Sequence, residues 1–140
     1  MTLIDSLKEW FYTCPLLDGG QVNVDYLSPD IDTSFSIDTV PTNPIIQKFV
    51  DGGSKRQFTF VLASCEPWGN DVIQNLENNG FYEELQKWIE SNTDLPILDD
   101  DKKALYVEAL TYGYLMSNDS DRAYYQIQLR LVYYQERMCK

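Results

Sequence analysis

A chain of 140 residues with a hydrophobic fraction of 44%, including ten Tyr, six Phe and three Trp, is too apolar for a disordered tail and suits one domain. At that length roughly 70% of the unfolded surface is buried on folding, so one core forms without disulfides or a metal. Eleven basic against 22 acidic residues give a formal charge of -11, which repels phosphate and argues against a groove-reading role on nucleic acid.

Leu3, Leu7, Trp10, Phe11 and Cys14 recur at spacings of three and four behind Thr2 and Asp5, which are placed as a capping box. An amphipathic first helix is predicted, ending near Thr13 because Pro15 disfavours helical geometry at Cys14. Asp18-Gly19-Gly20 turns the chain, and Val22, Val24 and Tyr26 then alternate with polar residues as a half-buried strand does. Two turn clusters, Ser28-Pro29-Asp30 and Pro41-Thr42-Asn43-Pro44, flank Phe35 and Ile37, which are expected in a short strand. Ile45 to Val50 and Gln57 to Cys65 read as a hairpin around Asp51-Gly52-Gly53-Ser54, with Phe58, Phe60 and Leu62 on one face of its second strand.

Glu66-Pro67-Trp68-Gly69-Asn70 breaks that strand, and Asn70 is placed to cap a second helix reaching about Ser91. Val72, Ile73, Leu76, Phe81, Leu85, Trp88 and Ile89 form its apolar stripe. Gly80 costs about 1 kcal/mol relative to alanine at mid-helix, which keeps a kink or a break into two shorter helices open. Asn92 to Asp101, with Pro96 inside, is a connector.

Ala104 to Met116 and Ala123 to Tyr134 are aromatic and β-branched runs separated by Asn118-Asp119-Ser120-Asp121, the pattern of a long antiparallel hairpin. With those four residues as the loop, Tyr114 faces Tyr125, Tyr112 faces Ile127, Leu110 faces Leu129 and Tyr106 faces Tyr133, giving one almost wholly apolar face. Such a face needs about two helices to cover it. The expected fold is therefore α+β: a mainly antiparallel sheet with a long C-terminal hairpin and two helices packed on one face, in a single domain spanning 1–140. The hairpin's other face carries Leu105, Val107, Ala109, Thr111 and Leu115 against Tyr124, Gln126, Gln128, Arg130, Val132 and Tyr134. That mixture is what a wet protein–protein interface looks like; a solvent face with a few apolar residues is the competing reading.

Chemistry finds little footing in these residues. The chain has no histidine, the commonest general base, proton shuttle and metal ligand at neutral pH, so neither a Ser-His-Asp nor a Cys-His arrangement can be built. No glycine-rich phosphate loop is present. Cys14, Cys65 and Cys139 are an odd, scattered set without paired spacing, which argues against a disulfide framework or a zinc site and fits a reducing cytosol. Asp99-Asp100-Asp101 and the Asp119, Asp121 pair read as solvated turns, and neither has the spaced ligands of a calcium loop. The expectation is no catalytic residue, no cofactor and no metal. The stretch from Met1 to Trp10 lacks a basic start and a continuous apolar run, so no signal peptide is expected, and no segment approaches the roughly 20 apolar residues of a membrane span.

Several segments are similar to a family of small virion proteins of phages and prophages of Gram-positive bacteria. The likeness is carried by Lys55-Arg56-Gln57-Phe58-Thr59-Phe60-Val61-Leu62-Ala63-Ser64, by Asn79-Gly80-Phe81-Tyr82-Glu83 with Trp88, by Glu108-Ala109-Leu110-Thr111, and by the run from Tyr125 to Tyr134. These are packing and interface patterns, and none is chemical. The family comprises minor capsid and tail terminator, or tail-completion, proteins. The resemblance implies an α+β subunit that assembles with copies of itself into a ring, a hexamer, at the end of the tail tube, assembled in the host cytoplasm and carried in the virion tail. It implies tail-tube and head-completion proteins as partners, DNA passing through a negative lumen without specific binding, and no membrane.

A heterologous ring needs two different surfaces that bury against each other. The residues proposed for them are Gln126, Gln128 and Arg130 on the outer hairpin face, with Trp68 and Asn70 in the loop before the second helix; Trp68 closing over its own core is the alternative there. Two other functions compete with the tail subunit. One is an acidic protein-binding module, such as an inhibitor, an immunity-type protein or a DNA mimic, suggested by the charge of -11. The other is an enzyme with an aromatic-lined pocket, although aromatic stripes at strand and helix spacing are far more often core.

Overall fold

Thr2 starts the first helix, α1 (Leu3–Tyr12), through a reciprocal cap: its Oγ1 accepts from the Asp5 N–H at 3.1 Å while the Asp5 carboxylate accepts from the Thr2 N–H at 3.1 Å. Two donors that the helix itself leaves unpaired are thereby satisfied. At the other end the N–H of Thr13 returns to the Trp10 carbonyl at 3.0 Å, and the helix stops where Pro15 requires it to. These details come from a computed structural model that describes residues 2–15, 21–24, 34–67, 72–118 and 122–137.

After α1 come β1 (Gln21–Val24), β2 (Ser34–Thr39), β3 (Ile45–Lys48), β4 (Ser54–Pro67), α2 (Val72–Ser91), β5 (Lys102–Ala109), β6 (Tyr114–Asn118) and β7 (Arg122–Gln135). They form one sheet in the order β1-β2-β4-β7-β5, with β3 also paired to β4 and β6 also paired to β7. Every pairing is antiparallel except that of β1 with β2. The two 14-residue strands β4 and β7 pair along their whole length, from Ser54 opposite Gln135 to Pro67 opposite Arg122. The β3–β4 hairpin turns at Gly52, whose φ of 92° is available to glycine without strain.

Phe60 and Leu62 of β4, Phe35 and Ile37 of β2, and Tyr125, Ile127, Leu129 and Leu131 of β7 are buried on one sheet face. Leu7, Trp10 and Phe11 of α1 and Tyr82, Leu85 and Ile89 of α2 pack on that same face. The fold is thus the expected α+β arrangement, with two helices on one face of a mainly antiparallel sheet. α2 runs through Gly80 as one helix: a methyl group there would meet nothing within 4 Å, so glycine weakens the helix without redirecting it. Asn70, expected to cap α2, lies outside the described residues.

The hairpin register departs from expectation. A bulge between Ala104 and Tyr106 leaves Leu105 unpaired and sets Tyr106 opposite Val132 instead of Tyr133. Because side chains alternate along a strand, that single extra residue moves Tyr106 to the outer face and Val107 into the core, where it is 4% exposed. A second irregular stretch, residues 110–113, separates β5 from β6, so Leu110 and Tyr112 do not pair with Leu129 and Ile127. Tyr114 pairs with Gln126, and Leu115 takes the place opposite Tyr125. Gly113 permits the break, since a Cβ on it would lie 2.3 Å from Tyr82. Leu110 and Tyr112 are consequently exposed, at 44% and 78%.

Candidate interaction face

The sheet face turned away from both helices is built from the alternate residues of the same strands. β7 places Gln126, Gln128, Arg130, Val132 and Tyr134 there, β4 contributes Lys55, Gln57, Thr59, Val61 and Ala63, and β5 adds Tyr106 and Glu108. Val61, Ala63 and Val132 are buried on this face although the helices pack on the other. They lie between long polar neighbours, so the face has an apolar floor and a hydrogen-bonding surface, as protein interfaces do.

Arg130 is the centre of that surface. Its guanidinium donates to Glu108 on β5 and, at 3.1 Å, to Gln57 Oε1 on β4, and thus spans three adjacent strands. Gln57 in turn donates to the Asn43 carbonyl at 2.8 Å, which ties the segment before β3 to the network. The Nε of Arg130 is buried without a hydrogen-bond partner. Further along the strand Gln126 donates to the Tyr114 hydroxyl, and the Gln128 N–H donates to Thr111 Oγ1 at 3.1 Å. The three β7 residues proposed from sequence therefore share one face, each with its own hydrogen-bond partners. Trp68 and Asn70 lie outside the described residues.

At one end the face becomes cationic and aromatic. Lys55 lies 5.9 Å from the centre of the Tyr106 ring, a cation–π contact, and Lys103 pairs opposite Tyr134. Phe49 packs against Tyr134 with centroids 5.9 Å apart. The Tyr134 hydroxyl donates to Asp51 at 3.4 Å; desolvation, reinforced by the Asp51 charge, raises its pKa above the ordinary phenol value. Near the same end the amide of Gln135 donates to the Asp101 carboxylate at 2.8 Å and holds it below the usual carboxyl range.

The register shift exposes Leu110 and Tyr112, which sequence patterning had assigned to the core. Leu110, Tyr112 and Met116 are exposed along the β5–β6 edge, and Ile46, Phe49 and Val50 are exposed beside β3 at the opposite edge. Only the bulges reveal the first group, and a bulge leaves no signature in an alternating apolar run. The second group was legible as an apolar stretch next to a turn.

Among the described residues no cluster of His, Cys, Asp or Glu is arranged to hold a metal, and no helix is long and apolar enough to cross a membrane. A hollow beside α1 is lined by Glu9, Trp10, Trp88 and Asp94, and the Trp10 indole donates to the Asp94 carbonyl at 2.6 Å. Glu9 and Asp94 are both exposed. No protein-family model matches the chain, and no curated protein matches it at a significant level.

Proposed function

We propose that this chain is a structural virion protein of a phage or prophage, a tail terminator or tail-completion subunit that caps the tail tube and joins it to the head. The observation that carries the reading is the sheet itself: one face is covered by both helices, while the other presents an apolar floor under the Arg130 network, between two edges lined with exposed apolar side chains. Exposed apolar side chains gathered at sheet edges are of the kind that marks association sites. Together with the segment resemblance it favours a protein that works by joining copies of itself and neighbouring virion proteins. The acidic balance suits a ring through which DNA passes without being gripped.

The acidic protein-binding module remains the alternative. The charge of -11 supports it, whereas Lys48, Lys55, Arg56 and Lys103 at one end of the sheet break up the anionic surface that a DNA mimic would need. Incubation of the purified protein with tail tubes, imaged by negative stain, tests the proposal. Rings at one end of each tube are expected; a protein that stays monomeric and ignores tubes contradicts it.

A further inference from the structure

The hollow between α1, the end of α2 and the connector that follows it has a volume of about 430 Å³, within the range of small-ligand sites. Trp10 and Trp88, with ring centres 4.7 Å apart, form its aromatic wall. Leu95, Pro96 and Ile97 line it from the connector. The connector is held there by two contacts: the Trp10 indole N–H donates to the Asp94 carbonyl at 2.6 Å, and the Asp94 N–H donates to Asn92 Oδ1 at 2.9 Å. The Thr13 hydroxyl is likewise engaged, donating to the Trp10 carbonyl at 2.6 Å. The charged groups that line the hollow are the exposed carboxylates of Glu9 and Asp94. Among the described residues no lysine or arginine lines it. The cations nearest in sequence are directed elsewhere: Lys8 Nζ lies 6.0 Å from the centre of the Tyr12 ring, and Lys87 is 3.6 Å from the Glu84 carboxylate.

We propose that this hollow binds an organic cation, an ammonium or guanidinium group on a short apolar stem. Indole rings attract a cation held within about 6 Å of them, and carboxylates at the rim accept its charge-assisted hydrogen bonds. Leu95, Pro96 and Ile97 offer the stem an apolar surface to cover. An anion would face two carboxylates without a counter-charge, and a neutral ligand would gain nothing from either. The net charge of -11 also draws cations toward the molecule from a distance. Two sources supply this chemistry: a lysine or arginine side chain of a partner protein, and a free alkyl diamine. The site is independent of the tail reading, since it lies on the helical side of the molecule and uses none of the outer-face residues.

The test is a titration of the isotope-labelled full chain, followed by NMR at the Trp10 and Trp88 indole N–H resonances. The probes are the acetylated methylamides of lysine and of arginine, and putrescine. Saturable shifts with a Kd of millimolar order are expected. The acetylated methylamide of norleucine keeps the stem and lacks the charge, and should bind more weakly by about threefold or more. Glu9→Gln and Asp94→Asn should each weaken binding of the charged probes by about two- to fivefold. Both side chains are exposed, and the Trp10 contact uses the main-chain carbonyl of Asp94, so both variants keep the hollow. Tighter binding of the blocked lysine or arginine than of putrescine supports a partner's side chain as the ligand; the reverse order supports a free amine. Three results overturn the proposal: no saturable shift of either indole at about 100 mM probe, equal binding of the norleucine derivative, or a Glu9→Gln, Asp94→Asn double variant that binds as the native chain does.

Discussion

The hydroxyls of Tyr82 and Ser64 lie 2.5 Å apart in the buried core and join α2 to β4. The Tyr82 ring also stands between Phe81 and Tyr125, at centroid distances of 5.1 and 6.0 Å. Tyr82→Phe keeps the packing and removes this hydrogen bond from the Ser64 hydroxyl, and Ser64→Ala does the converse. Each is expected to lower stability by about 1–2 kcal/mol in urea denaturation. The double variant should lose less than the sum of the two, since no polar partner is stranded. Strict additivity would show that the contact carries no energy.

Two glycines give opposite expectations for the same substitution. Gly113→Ala sets a methyl 2.3 Å from Tyr82 and is expected to destabilise by about 1–3 kcal/mol. Gly80→Ala meets open space inside α2 and is expected to stabilise by up to about 1 kcal/mol. Paired thermal melts decide it; an equal shift for both would contradict the role given to Gly113.

Periodicity found both helices, their shared face and the β3–β4 hairpin, because Thr2, Pro15 and the Gly52 turn encode their limits locally. It failed at the C-terminal hairpin. Tyr106, Leu110 and Tyr112 are as apolar as true core residues, and the bulge beyond Ala104 that expels Tyr106 depends on pairing with β7, not on local preference. Tyr82 was also missing from the predicted stripe, since its polar tip needed Ser64, 18 residues earlier in the chain, as a partner. Of the proposed site, Gln126, Gln128 and Arg130 were legible from strand alternation alone, whereas the Glu108 and Gln57 contacts that fix Arg130 required the tertiary register.

Arg130 and Glu108 are 29% and 36% exposed, so their ion pair is partly screened by solvent. Glu108→Ala leaves a guanidinium whose Nε already lacks a partner, and is expected to destabilise by about 1 kcal/mol. Arg130→Met removes the buried donor and keeps the side-chain bulk, so it should be milder. Chemical denaturation of the two variants and of their combination checks the order; Arg130→Met being the more damaging would contradict it.

Asp5 and Asp101 have folded pKa values below their ordinary ones, the first through the Thr2 cap and the second through Gln135. A depressed carboxyl pKa contributes stability that is complete above the unfolded value of about 4 and is lost as pH falls through the lower folded value. The urea midpoint of the native chain should therefore drop more between about pH 5 and about pH 2.5 than that of an Asp5→Asn, Gln135→Met double variant, which lacks the Asp5 carboxyl and the Gln135 donor. Equal drops would show that these two contacts do not set the acid limb.

The most direct measurement of the central proposal is electron microscopy of lysates from a prophage that carries this reading frame, compared with the same prophage lacking it. Proposed as a tail-completion subunit, the protein is expected to be required for joining: its absence should leave DNA-filled heads and unjoined tails side by side, and supplying the protein should restore whole particles. Intact, infectious virions formed without it would contradict the account.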